Sequence, residues 1–143
     1  MSSYTQLVLN SDGLTSTGSS YDFTTTLSNT ITLNAFNKWE VAVVSLTFPT
    51  PNPYTNKAIY VECNLVDFSY VDGTKRQLVY KTNMNHETPL ENELTHVTPI
   101  NLSYVRLTNV SFNSVNIKIQ DSDGNDIPNT HPSSVTLSIR STQ

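Results

Sequence analysis

The stretch Lys38-Trp39-Glu40-Val41-Ala42-Val43-Val44-Ser45-Leu46-Thr47-Phe48-Pro49 decides the fold. Trp39, Val41 and Val43 alternate with Lys38, Glu40 and Ala42, which is the period of a half-buried strand. The apolar parity then flips to Val44, Leu46 and Phe48. Such a flip predicts either burial on both faces or a β-bulge near Val43-Val44. Pro49, Pro51 and Pro53 end the strand, because proline cannot donate to a ladder. Ala58 to Tyr70 behaves alike: Ile59, Val61, Cys63 and Leu65 face one way, and Val66, Phe68 and Tyr70 the other.

The rest of the chain follows the same two-residue rhythm. Tyr4 to Leu9 reads as a short strand, ended by the turn signal Asn10-Ser11-Asp12-Gly13. Tyr21, Phe23, Thr25 and Leu27, then Ile31 and Leu33, give one long strand or two short ones. Asp72-Gly73 predicts a hairpin into Arg76–Thr82. Residues 83–98 read as the longest loop, polar and irregular. Leu102 to Leu107, Val115 to Gln120 and Val135 to Arg140 complete a set of about eight strands joined by turns. The expectation is one all-β domain over residues 1–143, an eight-stranded antiparallel sandwich or jelly roll.

Composition agrees. Ser, Thr and Asn make up more than a third of the 143 residues, and charged residues only 14%. Threonine suits pleated surfaces, and Asn and Ser suit turns. The net charge of -4 lacks the basic footprint of a nucleic-acid binder. Lys75, Arg76 and Lys81 form the one loose basic group, expected as a solvated strand face. No stretch approaches the roughly 18–20 apolar residues of a membrane span. Met1 to Gln6 lacks the basic head and apolar run of a signal peptide. The lone Cys63 is expected to be a small buried hydrophobe and forms no internal disulfide.

No constellation for catalysis or metal emerges. His86, His96 and His131 fall in predicted loops without metal-ligand spacing. Asp121, Asp123, Asn125 and Asp126 surround Gly124, but the glycine stands fourth rather than sixth, so a turn is expected rather than a calcium loop. Glu87, Glu91 and Glu93 are expected to be solvated loop carboxylates. Tyr54, Tyr60, Tyr70, Tyr80 and Tyr104 are spaced for packing along strands more than for a sugar site.

Several segments in order carry a resemblance. Trp39-Glu40-Val41-Ala42-Val43 through Leu46-Thr47-Phe48-Pro49 resembles the W-E-V-A-L-x-x-I-x-Y-P segment of the minor capsid proteins of polintons and virophages. Ile59-Tyr60-Val61-Glu62-Cys63-Asn64-Leu65-Val66 resembles their I-Y-V-Y-C-D-L-V segment. Phe112 to Asp121 with Gly124 to Pro128 is similar to their F-x-x-I-x-I-x-I-x-D-x-x-G-x-x-I-P stretch, and Val135 to Arg140 to their closing strand. The signature residues so matched are Trp39, Val41, Val43, Pro49, Tyr60, Cys63, Leu65, Ile117, Ile119, Asp121, Gly124, Pro128, Leu137 and Arg140. The resemblance spans residues 38–141 and departs at Ser45, where many relatives carry Glu.

The resemblance implies a single jelly roll that forms a homopentamer, the penton of an icosahedral vertex. Its partner is a double jelly-roll major capsid protein, and its place is the virion. It implies no enzyme activity and no cofactor. Residues 1–5 are expected as a flexible N-terminal arm that orders against the shell. The competing expectations are a jelly-roll glycan- or receptor-binding module and, more remotely, a β-sandwich hydrolase.

Overall fold

The computed structural model describes residues 4–51, 58–83 and 94–142. Among these residues twelve strands follow in order: β1 (Tyr4–Asn10), β2 (Ser16–Gly18), β3 (Asp22–Thr32), β4 (Lys38–Pro49), β5 (Ala58–Cys63), β6 (Ser69–Val71), β7 (Thr74–Arg76), β8 (Leu78–Asn83), β9 (Leu94–Val97), β10 (Val105–Arg106), β11 (Ser111–Asp121) and β12 (Ser134–Thr142). There is no helix among the described residues.

The long strands form an antiparallel sandwich. One sheet runs β1-β12-β4-β10, with β9 pairing the other half of β4. The second runs β2-β3-β11-β5-β8. Leu7 and Leu9, Trp39, Val41, Val43, Leu46 and Phe48, and Val135, Leu137 and Ile139 fill the core from the first sheet. Phe23, Ile59, Val61, Cys63, Val79, Val115, Ile117 and Ile119 fill it from the second. Each fully buried aliphatic side chain of this kind contributes about 1.5–3 kcal/mol.

The parity flip in β4 has its physical cause in the register. Thr136 pairs with Ser45, but Leu137 pairs with Val43, so Val44 is the extra residue of a bulge. The bulge lets Trp39, Val41 and Val43 share the core face with Leu46 and Phe48 despite their opposite parity. A second irregularity keeps β3 as one strand. Ile31 pairs with Phe112 and Thr26 with Ser114, so residues 27–30 face Asn113 alone. Asp72 and Gly73, at φ 50° and 81°, form the two left-handed positions that a tight hairpin needs.

Four expectations need correction. Tyr4 and Thr5 are not an arm: they pair with Arg140 and Ile139. Only residues 1–3 remain for one, and these lie outside the described residues. The strand expected from Ala58 to Tyr70 stops at Cys63, where Leu65 and Val66 turn into the core; Ser69 onward forms a separate ribbon, β6 with β7. The long loop expected at 83–98 contains β9, which pairs with Leu46 to Pro49; residues 84–93 lie outside the described residues. The strand expected at Leu102 to Leu107 shrinks to Val105 and Arg106, paired with Val41 and Glu40. The residues before it arch out of the sheet, leaving Ile100 exposed.

Candidate assembly surfaces

Part of the outer face of the first sheet is covered by its own chain. Glu40 and Arg140 are register partners, and Arg140 Nε donates to Glu40 Oε1 at 2.7 Å. The Arg140 guanidinium lies 3.5 Å from the centroid of the Tyr104 ring. The Tyr104 hydroxyl bonds Ser138 Oγ at 3.3 Å. Ala42 and Ser138 are buried on this face. A half-buried, partly solvated ion pair of this kind contributes little, roughly 1 kcal/mol, and the stacked ring adds to what holds the arch in place.

Part of the outer face of the second sheet, around Tyr60 and Glu62, is covered by the β6–β7 ribbon. Tyr60 points outward from β5 yet is only 3% exposed. Its ring lies 5.1 Å from the Arg76 guanidinium, and its hydroxyl donates to Asp72 Oδ2 at 3.4 Å. Arg76 Nη1 meets Glu62 Oε2 at 3.3 Å, and their side chains keep 10% and 17% exposure. The Gln77 amide donates to Glu62 Oε1 at 3.2 Å, and Gln77 Nε2 to the Val66 carbonyl at 2.9 Å. Arg76 Nε has no hydrogen-bond partner among the described residues. Of the three basic residues expected on a solvated face, Lys75 and Lys81 are exposed, but Arg76 is buried. Lys75 sits over the exposed Phe68 ring at 4.6 Å.

The turn after β11 is built on Asp121. Its Oδ1 accepts from the amides of Asp123 and Asn125, both at 2.9 Å, and Oδ2 accepts from Asn125 Nδ2 at 3.2 Å. Gly124 takes φ 83°, and its amide donates to the Asp121 carbonyl at 3.0 Å. Both carboxylate oxygens therefore serve the turn itself. Nearby, Ser11, Asp12, Gly18, Ser19, Ser20, Asn129, Thr130, His131 and Pro132 line a polar cleft of about 250 Å³.

The signature residues divide by role in the fold. Trp39, Val41, Val43, Cys63, Leu65, Ile117, Ile119 and Leu137 are core. The Trp39 indole N–H donates to the Asn34 carbonyl at 2.8 Å. Pro49 ends β4 opposite Leu94, and Pro128 follows the buried Ile127. Burial pushes the Cys63 thiol up to about 12, against a lowering hydrogen bond from the Leu65 backbone. His96, expected in a loop, belongs to β9 and bonds Thr47 Oγ1 at 3.0 Å. Tyr54, His86, Glu87, Glu91 and Glu93 lie outside the described residues. Arg76, Gln77 and Tyr104 organise both outer faces, and sequence reasoning gave them no such role. A basic residue just past Asp72-Gly73, with an acidic residue, Glu62, on β5, is the signal that points to Arg76.

No protein-family model matches the chain, and no curated protein matches it.

Proposed function

We propose that the chain is a structural viral protein, a single jelly roll that forms the homopentameric vertex of an icosahedral capsid. In this reading it works in the virion beside a double jelly-roll major capsid protein and has no catalytic activity. The strand order carries the reading. Taken from the ends inward, β1 lies beside β12, β3 beside β11, β4 beside β9 and β10, and β5 beside β8. Successive pairs alternate between the two sheets, as in a long hairpin rolled into a sandwich, the jelly-roll path.

Three of the carboxylates serve the fold itself. Glu40, Glu62 and Asp121 each bond within the fold, to Arg140, to Arg76 and to the turn amides. A glycan-binding role is the second reading, favoured by the polar cleft around Ser20 and His131. It loses two aromatic platforms, because Trp39 and Tyr60 are buried.

Light scattering on the purified chain tests the reading. The expected mass is a multiple of 15.9 kDa that corresponds to a pentamer. A stable trimer with saturable glycan binding would replace the vertex reading with the second one. Imaging of purified particles then checks occupancy of the vertices.

A further inference from the structure

The sandwich has two lateral flanks, and their chemistry differs. On one, β1 pairs only with β12, and no described strand pairs with its other edge. Exposed edges are usually blunted by charge, proline or a bulge. β1 reads Tyr-Thr-Gln-Leu-Val-Leu-Asn, with neither charge nor proline, and its register with β12 is unbroken. Val8 stands out from it, 61% exposed. Residues 4–37 contain Asp12 and Asp22 but no Lys or Arg.

On the opposite flank, β8 ends the second sheet and β10 ends its half of the first. Between them runs a groove of about 260 Å³, lined by Leu78, Val79, Tyr80, Lys81, Ser103 and Val105. Lys81 and Arg106 are exposed here; β8 and residues 94–110 contain no Asp or Glu, while Glu87, Glu91 and Glu93 belong to residues 84–93, outside the described residues. One flank thus offers an uncharged free edge with an acidic end, and Val8 stands on the outer sheet face beside that edge. The other offers a largely apolar slot with basic residues.

We infer that the β1 flank of one copy seats in the β8–β10 groove of the next. This rests on the pentamer reading and names its contact. A rotation axis along the strands keeps each end of the sandwich at one height. Asp12 follows the end of β1, and Lys81 lies near the end of β8, which pairs with the start of β5. The loop from Asp121 to Ser134 joins those two ends, because Asp121 pairs with Ile59 and Ser134 with Asn10. Asp12 therefore meets Lys81 across the contact, with Val8 against Leu78, Tyr80 and Val105. The contact is heterologous and closes only by repetition around a ring.

The test mixes two variants, Val8→Cys and Ser103→Cys, with a short bis-maleimide; both positions are exposed, and the native Cys63 is buried. The mixture should give a covalent pair that neither variant gives alone, and the doubly substituted chain should give a ladder. Lys81→Asp should weaken association by about tenfold, and Asp12→Lys in the same chain should restore it. A pentamer by light scattering without the mixed pair would overturn this contact and leave the vertex reading standing. The mixed pair in open filaments would support the contact and overturn the vertex reading. Self-crosslinking of Val8→Cys alone, or no crosslink in a chain that stays monomeric, would overturn the contact.

Discussion

Arg76→Ala should be among the most damaging substitutions outside the hydrophobic core. Its guanidinium faces Glu62 at 3.3 Å and the Tyr60 ring at 5.1 Å, with nine-tenths of the side chain removed from water. Removing one partner of a buried pair costs about 3–5 kcal/mol, because the other charge stays desolvated. Glu62 keeps 17% exposure and the Gln77 amide, which places the cost near the low end, about 3 kcal/mol. At roughly 3 °C per kcal/mol for a chain of this size, the melting temperature should fall by about 10 °C. Trp39 is the sole tryptophan and is buried, so its fluorescence reports urea unfolding directly. Arg76→Met combined with Glu62→Gln should cost only about 1 kcal/mol, since neither side is left charged and Arg76 Nε was already unpartnered. An Arg76→Ala protein within about 0.5 kcal/mol of the parent would refute the reasoning, because it would mean that the guanidinium is solvated. A double variant as damaged as Arg76→Ala would assign the loss to packing over Tyr60 instead of charge.

Trp39→Ala should cost about 3–5 kcal/mol in the same urea titration, followed by circular dichroism. Trp39→Phe, which removes the bond to Asn34, should cost about 1–2 kcal/mol. The Cys63 thiol should resist a disulfide reagent in the native protein at pH 8 and react on unfolding, since burial holds its proton up to about 12. Above an unfolded pKa of about 8.5 the native state then binds more protons than the unfolded one, so stability falls as pH rises. Cys63→Ala should flatten the alkaline loss between the unfolded pKa and about 12, measured as urea midpoints against pH. Gly18→Ala should damage the β2–β3 hairpin more than Gly124→Ala damages its turn, compared by thermal melting. A Cβ at Gly18 would lie 2.3 Å from the Asp22 carbonyl oxygen, whereas at Gly124 the nearest atom is 3.9 Å away.

The elements that sequence made legible are those whose signal is local. Val44 announces its bulge because one extra residue moves every later side chain to the other face, and the alternation records it. Asp72-Gly73 announces its hairpin because the turn needs two left-handed residues. β9 stayed hidden because Thr95 and His96 are polar in both directions; its pairing rests on the facing Leu46 to Pro49. Arg76 was misread for a related reason. Its burial depends on a ribbon folded back over Tyr60, a contact between strands that no two-residue period encodes. Phe68 and Tyr70 looked like a second strand face, yet they lie on the outside of that ribbon, with Tyr70 77% exposed. Arg140 follows the alternation of Val135, Leu137 and Ile139 and so lies on the outer face of β12, but Tyr104 reaches it from an arch far along the chain.

These long-range contacts bear directly on assembly. A sandwich of two sheets has two faces, two ends and two flanks through which to meet a neighbour. This chain covers part of each face itself, with the Tyr104 arch on Ser138 and Arg140 and the Arg76 ribbon on Tyr60 and Glu62. The covered residues are withdrawn from a partner. The flanks receive no such cover from the described residues: β1 keeps a free edge, and the β8–β10 groove stays open. The apolar side chains that protrude most, Leu14, Phe36 and Ile100, sit in connections and the arch, not on the sheet faces. The free strand edges among the described residues therefore lie on the flanks, and in the proposed ring Asp12 beside one flank faces Lys81 on the other. A like-to-like pairing of β1 edges would run antiparallel, carry Asp12 of each copy to the Tyr4 end of the other, away from any Lys81, and leave both grooves empty. Head-to-tail contact avoids both costs, and repeated around an axis it builds a ring.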